Sequence, residues 1–519
     1  MKRNEMLSRL EDNSGQWDMI VIGGGATGVG VAIDAASRGY QVLLLEQSDF
    51  AKGTSSRSTK LIHGGVRYLQ QGNISLVLEA LEERGLLLQN APHLVHNLLF
   101  IVPNYDWWEG PFYGIGLKVY DMLAGKRGFG TSKNLSKKKT IDHIPTVERE
   151  GLKGGVIYHD GQFDDSRLVV NMAQTAVDQG ATLLNYFEVT RLCKRNDQVC
   201  GVIAVDKESG TEYEIDAKVV INATGVFSDS IRRMDDAQTP NLISPSQGVH
   251  IVLERSFLPG DSAIMVPHTD DGRVLFAIPW HNKVIVGTTD TAVKTAVLEP
   301  RPIEEELQFL LNHAARYLTK DPMRKDVLSA FAGLRPLIQA KEEANTAALS
   351  RDHSLTISRS GLVTIAGGKW TTYRRMAEDT VKQAAMIARL DEKECITKTL
   401  HIHGYHKNPE KFGDLALYGS DAPKIQDLIR EKKDYAQRLS PKFPTLAGEV
   451  VWAARYEMAR TLEDFLSRRT RALLLDAKAS MEMAPAVADI MAKELDVGKR
   501  WKKQQLKDYQ QLAEGYLVM

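Results

Sequence analysis

Residues 17–46 read WDMIVIGGGATGVGVAIDAASRGYQVLLLE. The apolar run 19–22 predicts a buried strand. Gly23-Gly24-Gly25-Ala26-Thr27-Gly28 then fits G-x-G-x-x-G at the turn into a helix whose face is Val31, Ala32, Ala35 and Ala36. Gly39 stops that helix, and 41–45 is a second continuous apolar run, as in a parallel strand covered on both faces, ending in Glu46. This is a complete βαβ unit. Gly23 permits the tight turn, Gly25 lets backbone approach a pyrophosphate, and Gly28 allows close helix–strand packing. Glu46 stands where a ribose hydroxyl would be accepted. The unit predicts an adenine dinucleotide, against the plainer alternative of a structural glycine turn, and does not separate FAD from NAD.

With 519 residues the chain exceeds one core, so two or three domains are expected. The 66 basic and 66 acidic residues cancel, which removes any global field for nucleic acid. Three cysteines, Cys193, Cys200 and Cys395, form no metal-ligand pattern and fit a reducing compartment better than a disulfide framework. No apolar segment follows Lys2 and Arg3 as a signal peptide requires, and the most apolar stretch, 19–33, is shorter than a bilayer span. The expectation is a cytoplasmic protein, soluble or attached to the inner face of the cell membrane.

Further along, 48–69 (SDFAKGTSSRSTKLIHGGVRYL) is dense in hydroxyl, glycine and basic residues, offering donors to phosphates and ring edges. Leucine spacing predicts a helix over 76–88. Residues 104–130 crowd Trp107, Trp108, Phe112, Tyr113, Ile115, Leu117 and Tyr120 ahead of Lys126, Arg127 and Lys137, Lys138 and Lys139. A helix over 164–180 and strands over 181–220 follow, ending in KVVINATG, a strand that breaks at Thr224 and Gly225. Alternation between 244 and 358 predicts a second, largely antiparallel sheet with a helix at 303–318. Residues 362–365 return to a buried strand before AGGKWTTY, and beyond about 401 the pattern is helical, as over 450–477 and 484–495.

Cations recur within small or apolar sequence: Arg273 in DGRVLFAIPW, Arg335 in FAGLRPL, Arg351 in LSRDHS and Lys369 in AGGKWTTYR. Singly each reads as a solvated charge; together they would bind an anionic substrate. With these motifs the chain resembles the FAD-dependent, quinone-linked glycerol-3-phosphate dehydrogenases, within the D-amino-acid-oxidase-like flavoproteins. IGGGATG, SSRSTKLIHGGVRYL, NATGVFSD, GRVLFAIPW, VGTTDT, GLRPL, SRDHS and GGKWTTYR occur in that family's order, and IHGGVRYL and GGKWTTYR are its specific marks. The resemblance implies noncovalent FAD and oxidation of sn-glycerol 3-phosphate to dihydroxyacetone phosphate by hydride transfer to flavin N5. Electrons would pass to membrane quinone, or to oxygen in the oxidase branch; the inserted segment associated with the oxidases is missing here, which favours quinone. It further implies substrate binding by Arg335, Arg351 and Lys369 with Arg273 assisting, and His63 beside the flavin. Catalysis is assigned to His63 and Arg335. His63 is the natural base for the hydroxyl proton, since neighbouring cations disfavour imidazolium, or it only positions flavin or substrate. Trp370 departs from the smaller apolar residue expected after GGK.

Motifs and resemblance together give a cofactor-contacting set of Gly23, Gly25, Ala26, Thr27, Gly28, Glu46, Ser55, Ser58, Lys60, Leu61, His63, Gly64, Thr224, Gly225, Gly368, Lys369 and Thr371. The expected fold is α/β. A Rossmann-like FAD-binding domain (15–80, 155–240 and 359–390) carries an inserted, mostly antiparallel substrate-binding domain (81–154 and 241–358). A C-terminal α-helical domain (391–519) follows. An amino-acid oxidase would share this fold but needs one carboxylate-binding arginine; a flavin-containing protein without turnover is the reading outside enzymes. Delivery to a quinone requires contact with the bilayer, so Trp107, Trp108, Phe112, Tyr113 and Tyr120, with the basic run, form a candidate patch for an anionic membrane surface. The alternative is that these aromatics pack inside the substrate domain. A homodimer remains open.

Overall fold

The computed structural model describes residues 1–64, 74–107, 109–125, 128–267, 269, 274–339 and 353–518. Two large sheets organise the molecule. In the first, the strand Trp17–Ile22 lies between Val42–Glu46 and Glu212–Asn222, all parallel, with Ile20 opposite both Leu43 and Val220. Thr182–Asn185 extends one side in parallel, and Val363–Gly367 the other, before His353–Ile357 closes that edge antiparallel. Strand residues Met19–Val21, Val42–Leu44 and Val219–Ile221 are almost wholly inaccessible. Continuous apolar runs form such strands where both faces are covered, and Val189, Val202 and Ala204 of the strands Phe187–Arg195 and Gln198–Asp206 share the same core. The helices Ala26–Ser37, Asp165–Asp178 and Tyr373–Ile387 supply part of that cover.

The second sheet is antiparallel throughout its described pairings except where Ser262–Val266 runs parallel to Val95–Asn104. Its longest pairing joins Ile243–Glu254 to Val327–Ile338. The helix Glu304–Ala315 covers one apolar face, with Leu307, Leu310 and Leu311 against Val249 and Ile251. Two strands read with the first domain belong here instead: Leu61–Ile62 and Gly154–Phe163 pair with each other, and the latter with Val95–Asn104. The boundary drawn at 155 therefore falls inside a strand.

The C-terminal helices Ala447–Tyr456, Ala477–Glu494 and Lys499–Glu514 bury Val450, Val487 and Ala513 in one cluster with Val252, Trp280 and Phe331 of the second sheet. The helix read across 450–477 is interrupted. Met458 and Arg471 take left-handed conformations (φ 54° and 65°), and between them lies a π-helical turn, Asp464–Arg469. The break lets Arg468, Arg469 and Arg471 turn inward to buried carboxylates rather than outward to solvent.

The aromatic crowd forms the helix Glu109–Ala124. Tyr113 and Tyr120, for which the sequence leaves both headgroup depth and the domain interior open, are buried: Tyr113 packs with Leu117 on the second sheet, and Tyr120 against Val77 and Leu81 of the helix Ile74–Asn90. Phe112, Ile115 and Met122 lie on the opposite side, 53 %, 67 % and 73 % exposed, with Trp107 just before the helix at 83 %. Trp108, Lys126 and Arg127 fall outside the described residues.

Candidate active site

A cavity of about 660 Å³ opens at the carboxyl ends of the first sheet's parallel strands and extends between the two sheets. Three strand-to-helix turns form its floor, the position where open α/β sheets hold ligands. In the first turn, Gly23 has φ 111°, and a Cβ there would stand 2.7 Å from the Ala223 carbonyl oxygen. Gly25 caps the helix Ala26–Ser37 in an extended conformation. Ser55 Oγ accepts from the Ala26 amide at 2.9 Å, and a Cβ on Gly25 would press on that oxygen at 3.1 Å. Glu46 accepts from the Gly24 amide at 2.6 Å and from the Ser48 amide at 2.8 Å. Burial raises its pKa while those two amides oppose the rise.

The second turn carries Thr224 and Gly225, with Asn222 Oδ1 accepting from Thr224 Oγ1 at 2.7 Å. The third carries Gly367 and Gly368 in left-handed conformations (φ 75° and 73°), followed by Lys369, Trp370 and Thr371 along the wall. Trp370 Nε1 donates to the Ser55 carbonyl at 3.0 Å, and its ring meets Phe163 and Tyr373 edge-on. Trp370 thus ties the third turn to the loop beside the first. A helix N-terminus, backbone free of Cβ atoms, and a carboxylate at the second strand's end fit an adenine dinucleotide's pyrophosphate and ribose.

The cavity wall also carries cationic and hydroxyl groups. His63, Arg335, Lys369, Thr288, Asp290 and His250 all reach this wall. Arg335 Nη1 donates to Asp290 at 3.2 Å, and its Nη2 donates to Thr288 Oγ1 at 3.1 Å and the Thr289 carbonyl at 3.0 Å, which fixes the guanidinium plane. His250 Nε2 lies 3.0 Å from Thr59 Oγ1, and its ring stacks on Phe331. Burial, then Lys60 and Arg335, hold its pKa well below the usual histidine value, so the ring is neutral near pH 7. Below His63, the Gly64 amide donates to Tyr120 Oη at 2.9 Å. That hydroxyl donates to Asp160, which also holds Arg84 at 2.6 Å.

Of the sequence-derived set, Gly23, Gly25, Ala26, Thr27, Glu46, Ser55, Ser58, Leu61, His63, Thr224, Gly225, Gly368, Lys369, Thr371 and Arg335 line the cavity. Gly28, Lys60 and Gly64 do not. Gly28 is buried against the Gly23 carbonyl and Gly64 against Tyr120 and Leu81. Lys60, at φ 63°, turns its ammonium onto Asp165 at 2.7 Å. Burial lowers the Lys60 pKa to about 7 against the pull of Asp165. Arg273 and Arg351 lie outside the described residues. Sequence reading passed over Arg57, His250 and Asp290, all in the wall. Asp290 sits in VGTTDT, already marked by resemblance, whereas nothing local distinguishes His250.

Residues 18–374 match the FAD dependent oxidoreductase family, and 363–505 match the C-terminal domain of alpha-glycerophosphate oxidase. The chain belongs to the FAD dependent oxidoreductase family. This flavoprotein oxidoreductase uses FAD, which settles the nucleotide that the βαβ unit left open. It is 42 % identical to the mitochondrial glycerol-3-phosphate dehydrogenase of Mesocricetus auratus over 93 % of this chain and 71 % of the relative. With that of Arabidopsis thaliana it shares 41 % identity over 96 % and 86 %. The crystal structure of glycerol-3-phosphate dehydrogenase from Bacillus halodurans complexed with FAD superposes at a TM-score of 0.81, with 31 % identity, covering 99 % of this chain and 97 % of that one.

Proposed function

We propose that this flavoprotein oxidises sn-glycerol 3-phosphate to dihydroxyacetone phosphate and passes the electrons to a membrane quinone. The observation that carries the reading is one cavity lined both by the glycine turns of a dinucleotide cradle and by Arg335, Lys369 and His63. Identity of 41–42 % to glycerol-3-phosphate dehydrogenases supports it. FAD, held by the glycine turns and Glu46, would supply the two-electron acceptor for the carbinol hydride. Arg335 offers a planar fork to phosphate oxygens, already oriented by Asp290 and Thr288, and Lys369 adds a compact charge. His63 takes the hydroxyl proton or orients the carbinol. Arg273 and Arg351 complete the phosphate set in this reading.

Quinone as acceptor requires bilayer contact, and among the described residues no helix is long and apolar enough to cross a membrane. The exposed stripe of the helix Glu109–Ala124, together with the exposed Lys137, Lys138 and Lys139, supports peripheral attachment to an anionic surface. The test of the reaction is anaerobic. Glycerol 3-phosphate should bleach the flavin within one turnover, and amino acids should not. A menaquinone or ubiquinone analogue should then restore the colour faster than air does. Bleaching by an amino acid alone would replace the substrate, and faster recovery in air would make the protein an oxidase.

A further inference from the structure

The loop 48–60 supplies much of the cavity wall, including Lys52, Gly53, Ser55, Arg57 and Ser58. Its only regular structure is one 3-10 turn, Thr54–Ser56. Such a segment holds its shape through its partners, and many of those lie in the C-terminal region. Asp49 accepts from Arg468 Nε and Arg469 Nη1, both at 2.6 Å, and from Arg469 Nη2 at 3.0 Å. Lys52 pairs with Glu463. The Ser56 carbonyl takes two cationic donors, Arg471 Nη2 at 2.7 Å and Lys60 Nζ at 2.8 Å. Asp165 then joins the same groups: one oxygen accepts from Ser58 Oγ and Lys60 Nζ, the other from Arg471 at 2.9 Å.

Apart from the partly exposed Lys52 and Glu463 these charges are buried, Arg469 and Asp49 completely. Taking one partner away strands the other in low dielectric, so the loop has to move to rehydrate it. The FAD dependent oxidoreductase match ends at 374, so residues 463–471 lie beyond it. We infer that the segment 463–471, and Arg471 above all, is a positioning element of the flavin site: it holds the loop 48–60 at the spacing FAD needs without touching FAD. Flavin binding and the order of this segment are therefore coupled, and the coupling acts in both directions. The inference rests on the cavity being the FAD seat and is independent of the substrate.

The experiment uses the full-length holoprotein and FAD itself. Flavin release on dilution is followed by fluorescence for wild type, Arg471→Gln, Arg471→Lys and Arg455→Gln; Arg455 pairs with Glu494, away from the loop. Arg471→Gln should weaken FAD binding at least about tenfold. Arg471→Lys keeps the charge but loses the fork that reaches Ser56 and Ser467 together, and should fall between. Arg455→Gln should match wild type. Should Arg471→Gln not fold, hydrogen exchange in wild type decides: backbone amides of 463–471 should exchange more slowly with FAD than after its removal. Equal exchange, or wild-type release from a folded Arg471→Gln, overturns the inference. Gly25→Val separates the two levels, because its side chain would crowd Ser55 Oγ in the cradle. FAD retained by Gly25→Val sinks the seat itself; FAD lost there but held normally by Arg471→Gln sinks only the coupling.

Discussion

Arg335 and His63 divide the proposed chemistry, and the division is measurable. Arg335 is pinned by Asp290, Thr288 and Thr289, so its role is geometric as well as electrostatic. Hydrogen bonds to charged groups contribute roughly 1.5–3 kcal/mol, so Arg335→Ala should raise KM for glycerol 3-phosphate about tenfold to a hundredfold. Arg335→Lys should recover only part of that. His63→Ala should act mainly on kcat, by about 10²–10⁴-fold if the ring is the base. Steady-state kinetics that show one pattern for both variants would erase the division. Arg335 was legible in the sequence because a cation between Leu334 and Pro336 is unlike a solvated charge. His250 was not, since its neutrality arises from burial and from cations brought there by other strands.

At the scale of elements, the helix Glu109–Ala124 carries two apolar faces: Tyr113, Leu117 and Tyr120 are buried, and Phe112, Ile115 and Met122 are exposed. The aromatic content of this stretch was visible in the sequence, but which ring faced inward depended on where the second sheet ran. If the outer stripe is the attachment surface, a Phe112→Ser, Ile115→Ser, Met122→Ser variant that retains its flavin should no longer co-sediment with anionic vesicles. Wild type should bind them at low salt and less at high salt, each basic residue near the surface contributing roughly 1 kcal/mol. Unchanged sedimentation of the triple variant would locate attachment elsewhere. A second element-level effect concerns His403, which joins Asp178 at the end of one helix to Asp421 at 2.6 and 2.7 Å. Burial works against its charge, but the two hydrogen-bonded carboxylates outweigh it and raise its pKa to about 9. A raised pKa gives stability that is full below about pH 6.5 and is lost as pH climbs through about 9. His403→Gln should therefore flatten the fall in melting temperature between pH 7 and 9.5. An equally steep fall in that variant would assign the alkaline loss to other groups.

Across the whole molecule, the βαβ unit was readable because period, glycines and terminal acid are all local to thirty residues. The second sheet was readable as a kind but not in membership: Gly154–Phe163 carries the same apolar alternation whichever sheet it joins, and its partners, Leu61–Ile62 and Val95–Asn104, are remote in sequence. The cluster Arg468, Arg469 and Arg471 reads locally as a solvated basic run, and only the distant Asp49 and Asp165 make it a core.

The flavin sheet draws its three central cradle strands from Trp17–Ile22, Glu212–Asn222 and Val363–Gly367. A chain emerging from the ribosome at roughly 5–20 residues per second thus has its first cradle turn in hand long before the third exists. Until then the edge of Glu212–Asn222 that will receive Val363–Gly367 is unpaired, although Trp17–Ile22 already lies on its other side, and such an edge invites wrong pairing. Cofactor capture is consequently a late event in biogenesis, after most of the polypeptide has been made. Nascent chains arrested with Val363 still inside the exit tunnel should hold no FAD and should engage holdase chaperones. Chains arrested after residue 471 has emerged should capture the flavin and release them.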